Sequence, residues 1–336
     1  MSQSQFLSNC TADAMADAAA RLLAGNLVAF PTETVYGLGA DACNGQAVKR
    51  IYEVKGRPTD HPLIVHIASM DSMRDWAGDI NEYAIALARE FWPGPMTLIV
   101  KRSELAADFI TGGQDTVGIR VPDHALALGL LEDAQKMGIK GIAAPSANRF
   151  GQVSPTTAAA VIEELGEYLH ADDLVLDGGA CTVGVESTII DCTGDIPRIL
   201  RPGAISDEMI AHSTGLEVIR TYRFIDDGAG IVWINKVEDV RVSGSLENHY
   251  SPAAKVYLDQ PPQSGQGFIA LADIPTPDGV IRLAAPSNNE EFARMLYVAL
   301  READLQGLSE VVVMQPIGPG IAVAICDRLV RAANGR

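Results

Sequence analysis

Two short apolar runs, Leu27–Phe30 and Gly141–Ala144, each stop at a proline and open into small and polar residues. A short apolar run ended by proline reads as a buried strand, since proline cannot extend the ladder. The first run continues as Pro31-Thr32-Glu33-Thr34-Val35-Tyr36-Gly37-Leu38-Gly39, the second as Pro145-Ser146-Ala147-Asn148. Small side chains let a ligand approach the backbone, and hydroxyls and amides offer directed hydrogen bonds. Loops of this kind at the carboxyl edge of a sheet are a usual place for ligand contacts, although either could be a structural turn. The pattern points to a sheet-based fold whose strand ends open into these loops.

The rest of the chain alternates helix and strand without strict regularity. Thr11 to Leu23, Gly45–Lys55, Asn81–Phe91, Ala125–Met137 and Thr156–Leu165 read as helices, several opened by a capping residue or closed by glycine. Leu63–Ile67, Thr97–Val100 and Val117–Val121 read as strands, with Leu174–Leu176, Ser187–Asp191 and Arg198–Leu200 as shorter candidates. This mixture predicts an α/β or α+β domain with a mixed sheet over residues 12–206. Residues 207–252 have little periodicity and read as a linker with some local structure. From residue 253 to 336 a second rhythm appears. Val256–Leu258, Phe268–Leu271, Val280–Leu283 and Val311–Met314 are strand candidates, and Glu290–Leu305 and Ala322–Ala333 are helices. Its Gly318-Pro319-Gly320 turn is not a dinucleotide fingerprint.

Charge sharpens the picture. The chain has 336 residues and a formal net charge of −17, yet Lys49, Arg50, Lys55 and Arg57 fall close together. Lys55-Gly56-Arg57-Pro58 offers a point charge, a planar fork and a close backbone, which suits a polyphosphate. From charge alone, cations complementing a helix C-terminus are the better reading. Arg120, on or just beyond a strand, needs an anionic partner if buried, and so do the arginines of Arg198–Arg201.

The acidic balance disfavours a nucleic-acid-binding face. Five scattered cysteines without paired spacing disfavour a disulfide framework or zinc site. The apolar run Val311–Cys326 is interrupted by Gln315, Pro316 and Pro319, and too short to span a bilayer. The polar N-terminus has no signal core, so a cytoplasmic protein with no protein-ligated metal is expected. Nucleophile elbow, metalloprotease and Walker motifs are missing, and the six histidines show no metal spacing. Chemistry by positioning and electrostatics follows, as in phosphoryl or nucleotidyl transfer.

Taken in order, FPTETVYGLGADA, KGRPTDHPLIVHI, FWPGPMTLIV, TVGIRVP, APSANRFGQVSPT, ESTIID and ILRPGAI resemble the YrdC/TsaC-type threonylcarbamoyl-AMP synthases in their long, two-domain form. The likeness covers about 12–206, and SGSLENHYSP and AICDRLVRAA extend it toward the C-terminus. The resemblance implies a twisted mixed sheet with a large, positively lined cavity, followed by a small Rossmann-like α/β domain. It implies a nucleotidyltransferase that turns L-threonine, bicarbonate and ATP into threonylcarbamoyl-adenylate and pyrophosphate. That adenylate would feed, through a downstream threonylcarbamoyl transferase complex, the t6A modification of adenosine 37 in tRNAs reading ANN codons.

The resemblance also implies site residues. Thr34, His66, Arg120, Ala144 and Ser187 would hold L-threonine. Arg57, His61, Thr116, Ser146, Asn148, Ser154, Arg201 and Tyr250 would hold ATP. Lys55 and Arg57 would stabilise charge on the phosphates, with Mg²⁺ on the polyphosphate. Direct tRNA binding is expected to be weak or absent. The chain departs from the family at His61, where asparagine is usual, and in the linker, where a proline is lost. Rival readings are a non-catalytic member of the fold that holds nucleotide or double-stranded RNA, a different carbamoyl- or adenylyl-transfer enzyme, and a structural protein with a vestigial pocket. Steeply salt-dependent RNA binding would mark the first.

Overall fold

The computed structural model describes residues 7–9, 12–220, 222–224, 231–233, 240–242 and 250–335. The expected cap Thr11 and most of the SGSLENHYSP segment lie outside the described residues.

A ten-stranded sheet forms the larger unit. In chain order its elements are β1 (Leu7–Asn9), α1 (Ala12–Leu23), β2 (Val28–Phe30), β3 (Gly37–Asp41), α2 (Gly45–Lys55), β4 (Ile64–His66), α3 (Met73–Trp76), α4 (Glu82–Phe91), β5 (Met96–Lys101) and α5 (Asp108–Thr111). Then come β6 (Thr116–Arg120), α6 (Ala125–Lys136), β7 (Ile142–Ala143), α7 (Ala158–Leu165), β8 (Leu174–Asp177), β9 (Thr188–Asp191) and β10 (Arg198–Arg201). The strand order is β1-β8-β2-β3-β7-β4-β6-β5-β9-β10, with parallel and antiparallel neighbours mixed. The sheet is mixed because hairpin-like returns and crossovers alternate, as the irregular sequence rhythm requires.

The capping chemistry is local. Asn44 Oδ1 accepts from the amides of Gln46 and Ala47 to open α2, and Gly56 closes it at φ 62°. Strand β3 is a correction to the sequence reading, which takes all of Pro31 to Gly39 as a loop. Its glycines disguise it. A Cβ on Gly39 would meet Ile142 at 2.8 Å and Phe30 at 2.9 Å, so only glycine lets β3 lie between those side chains.

Residues 207–242 contain α8 (Asp207–Thr214), capped by Ser206, and an antiparallel pair, β11 (Tyr222–Phe224) with β12 (Ile231–Trp233). The C-terminal unit has β13 (Lys255–Leu258), β14 (Gly267–Ile269), β15 (Ile281–Ala284), α9 (Asn289–Leu305), β16 (Glu310–Val313) and α10 (Ile321–Ala333). Its strands pair in the order β13-β16-β14-β15, all parallel. A small parallel sheet flanked by helices is the Rossmann-like arrangement expected.

The two units share a core. Val35, Val153 and Val185, each on a loop of the larger unit, are buried in the same apolar cluster as Phe292, Leu296, Tyr297 and Leu329 of the C-terminal unit. Burying a valine contributes roughly 1.5–3 kcal/mol. The chain also passes close to α9 at Gly184, where φ is 84° and an added Cβ would lie 2.5 Å from Ala293 O.

Candidate active site

Those same loops surround a cavity. It holds about 520 Å³ of empty space, mouth included, of which about 50 Å³ admits the centre of a water molecule. Its walls bring together Thr34, Arg57, His66, Arg120, Ala144, Ser146, Ser187, Arg201 and Tyr250, nine of the residues singled out from the sequence. Thr32, Tyr36 and Glu186 join them without having been assigned a ligand beforehand.

Sheet register explains one end. Strands β4 and β6 pair in parallel with His66 opposite Arg120. Arg120 Nη2 lies 2.7 Å from Glu33 Oε1, with both side chains buried. The contact is electrostatic rather than an aligned hydrogen bond, since neither Arg120 Nη2 nor Glu33 Oε1 has a hydrogen-bond partner. Arg120 Nε and His66 Nδ1 are likewise buried without one. Burial, helped by the charge of Arg120, brings the His66 pKa down to about 3, so its ring is neutral at physiological pH. Thr34 is placed by a turn around Thr32, whose Oγ1 lies 2.8 Å from Thr34 Oγ1 and donates to Val35 O at 2.6 Å. This end offers a guanidinium, a neutral imidazole and hydroxyls.

Arg57 and Arg201 define the other end. Arg57 leaves the glycine cap of α2 and donates Nη2 to Pro62 O at 2.9 Å. Burial lowers its pKa to about 10, which leaves it charged at neutral pH. Arg201, at the end of β10, donates Nε to Ser187 O and Nη2 to Ser187 Oγ, both at 3.1 Å. Ser187 Oγ in turn lies 2.8 Å from Thr97 Oγ1. Tyr250 (φ 63°) stacks on Tyr297 with ring centroids 5.8 Å apart and closes one wall.

The structure places five sequence candidates away from this wall. Lys55 is 2% exposed, and its Nζ donates to Ser146 O at 2.6 Å and Asn148 O at 2.5 Å. Burial, then the neighbouring Arg57 charge, pushes its pKa well below the usual lysine value. It therefore sits beneath the Ser146 loop and is not among the residues that line the cavity. Asn148 Nδ2 holds the same loop through Arg149 O and Gln152 O. Ser154 donates to Glu186 Oε1 at 2.7 Å. His61 packs edge-on against Phe150, and burial lowers its pKa, so the residue is neutral at neutral pH. Thr116 lines a second, smaller recess with Gln114, Ile189 and Arg241. Arg50, one of the four clustered cations, grips the buried Asp173 through two hydrogen bonds of 3.0 and 2.7 Å. Lys49 is exposed and pairs loosely with Glu53. Among the described residues, no three His, Cys, Asp or Glu side chains gather as a metal-ligand set. Nor, among the described residues, is any helix long and apolar enough to cross a membrane.

A mixed sheet whose strand-end loops gather buried arginines around a small polar cavity defines an anion-binding α/β enzyme of the positioning kind. Comparison narrows the class. Residues 20–203 match the Sua5/YciO/YrdC family profile, described as telomere recombination, and residues 205–334 match the profile of the threonylcarbamoyl-AMP synthase C-terminal domain. The chain belongs to the Sua5-type threonylcarbamoyl-AMP synthase family. It is 39% identical to the threonylcarbamoyl-AMP synthase of Pyrococcus abyssi, over 93% of this chain and 92% of that protein. It is 38% identical to that of Bacillus subtilis, over 96% and 93%. The crystal structure of P. abyssi Sua5 complexed with L-threonine superposes with a TM-score of 0.84 at 36% identity, covering 98% of each chain.

Proposed function

We propose that this chain is a threonylcarbamoyl-AMP synthase, forming threonylcarbamoyl-adenylate and pyrophosphate from L-threonine, bicarbonate and ATP. The observation that carries the reading is the convergence of Arg57, Arg120 and Arg201 on one cavity of a strongly acidic chain. Two anions of different size suit that wall. A carboxylate fits beside Arg120, with His66 and Thr34 near its amine and hydroxyl. A polyphosphate fits between Arg57 and Arg201, with Ser146 and Ser187 as further donors.

In this reading threonine's neutral amine adds to bicarbonate-derived CO₂ and gives a carbamate. A carbamate oxygen attacks the α-phosphorus, and the bond from that phosphorus to the bridging oxygen breaks as pyrophosphate leaves. The arginines stabilise the charge that develops, and no protein nucleophile is required. Arg57 and Arg201 would share the polyphosphate with a Mg²⁺ ion, which would supply further charge neutralisation when bound. Lys55 and Asn148 act as positioning residues for the Ser146 loop. The product goes to a threonylcarbamoyl transferase acting on tRNA in the cytoplasm. The rival reading, a non-catalytic nucleotide- or RNA-binding member of the fold, is disfavoured by the net charge of −17 and by relatives named as synthases.

The test is pyrophosphate release by the purified chain with ATP, Mg²⁺ and bicarbonate. Release that depends on L-threonine is expected. Release indifferent to threonine, or none, overturns the reading.

A further inference from the structure

A buried charge cluster lies where the two units meet, and the reaction as described makes no use of it. Arg328 belongs to α10 of the C-terminal unit, yet its guanidinium has no exposed surface and reaches into the larger unit. Nε donates to Glu186 Oε2 at 2.8 Å, and Nη2 donates to the carbonyls of Glu186 at 3.3 Å and Pro202 at 3.1 Å. The same guanidinium lies 5.4 Å from the centre of the Tyr250 ring. Tyr297 of α9 donates a second hydrogen bond to Glu186 Oε2 at 2.8 Å. The other oxygen of Glu186 takes the Ser154 hydroxyl. Asp327 completes the group, pairing with both Arg328 and Arg331.

Glu186 is a cavity wall residue placed next to Ser187, which Arg201 holds. Burial opposes its ionisation, but Arg328 and Arg201 bring its pKa down to about 2, so it is a carboxylate at neutral pH. A bare carboxylate in the wall would repel a polyphosphate, and more strongly there than in bulk water because the site is buried. Arg328 cancels that charge, and its fork fixes the carboxylate so that Ser154 and Ser187 keep their places.

We propose that Arg328, from the C-terminal unit, is a positioning residue for the nucleotide half of the site, acting through Glu186. The inference rests on the nucleotide reading given above. It makes the C-terminal unit part of the active-site wall rather than an appended domain. Arg301 of α9 also reaches the larger unit, donating to Val153 O next to Ser154 and pairing with Glu164 at 3.0 Å.

Calorimetric titration of the full chain with ATP, and separately with L-threonine, tests this without requiring turnover. Arg328→Met is expected to weaken ATP at least tenfold while threonine affinity stays within twofold. Adding Glu186→Gln in the same chain is expected to recover most of the loss, because the uncompensated charge is gone. Tyr297→Phe, which deletes one hydroxyl, is expected to weaken ATP two- to fivefold. An unchanged ATP affinity in Arg328→Met, an equal loss of both ligands, or no recovery on adding Glu186→Gln overturns the proposal. Should Arg328→Met fail to fold, unchanged ATP affinity in Tyr297→Phe overturns it instead. ATP binding by the parent chain without threonine-dependent pyrophosphate release would sink the enzymatic reading while leaving the Arg328 comparison intact. No ATP binding by the parent chain overturns both.

Discussion

Arg120 and Glu33 face each other across 2.7 Å inside the protein, each side chain about 5% exposed or less. The pair holds a guanidinium ready at the cavity wall with Nε lacking a hydrogen-bond partner. Under the proposed function, a carboxylate entering the cavity would meet this guanidinium beside His66. Arg57 sits in the same cavity on a separate element.

The two arginines should therefore separate the two ligands. Arg120→Ala is expected to raise the KM for threonine about 10–150-fold, the range set by about 1.5–3 kcal/mol for a hydrogen bond to a charged group. It should leave the KM for ATP nearly unchanged. Arg57→Ala should do the reverse. Steady-state pyrophosphate assays with each substrate varied decide it, and equal losses for both substrates in each variant would contradict the assignment.

Lys55→Met distinguishes a supporting lysine from a phosphate-binding one. The substitution leaves the Ser146 and Asn148 carbonyls without their donor. An unsatisfied buried group costs about 1–3 kcal/mol, so a loss of about 2–6 kcal/mol for the two carbonyls is expected in urea unfolding, alongside reduced kcat/KM. Lost activity at unchanged stability would instead place the ammonium on the phosphates.

Much of this was legible in the chain, and the failures have physical causes. Prolines after Phe30 and Ala144 mark strand ends, and Asn44 with Gly56 brackets α2, because those are local rules. Strand β3 was hidden because close packing against Ile142 and Phe30 demands glycines, which read as loop. The cation island hinted at Arg57 but could not separate it from Lys55. Both are buried, and only tertiary structure shows which carbonyls the lysine meets. Glu186 adjoins Ser187 in the ESTIID stretch and could have been singled out from that neighbour. Arg328 carried a signal too, since Asp327, Arg328 and Arg331 are the charged residues of an otherwise apolar helix. A charge on such a helix asks for a buried partner, and nothing local says that the partner is 142 residues away.

Acid should destabilise the fold through His66. Its pKa is near 6.5 unfolded and about 3 folded, so the unfolded chain takes up a proton that the folded chain refuses. The stability it contributes is complete above pH 6.5 and is lost as pH falls toward 3. Between pH 6 and 4 this adds a slope approaching 1.4 kcal/mol per pH unit, about one proton. Glu186 works in the same direction but lower, below pH 4.5. Urea unfolding of His66→Gln across that range should show a slope smaller by about one proton. An identical slope would place a proton on the folded His66.

Gly184→Ala probes the seam between the two units. Gly184 and Gly179 both have φ near 80°, but a Cβ at 179 meets nothing within 4 Å whereas one at 184 meets α9. Gly179→Ala should cost about 1–2 kcal/mol from backbone strain alone. Gly184→Ala should cost roughly 1–3 kcal/mol more from overpacking, and should loosen α9 to protease. Equal costs for the two would mean that the loop yields freely and that the seam is not tightly built.

The central claim is that one cavity joins threonine, a bicarbonate carbon and AMP. Incubation of the full chain with ATP, Mg²⁺, L-threonine and ¹³C-bicarbonate, followed by mass spectrometry, tests it most directly. The account predicts an adenylate that contains threonine and is one mass unit heavier than its unlabelled form, in step with pyrophosphate and absent without threonine. Pyrophosphate formed without that labelled adenylate, or an adenylate lacking the label, would contradict it.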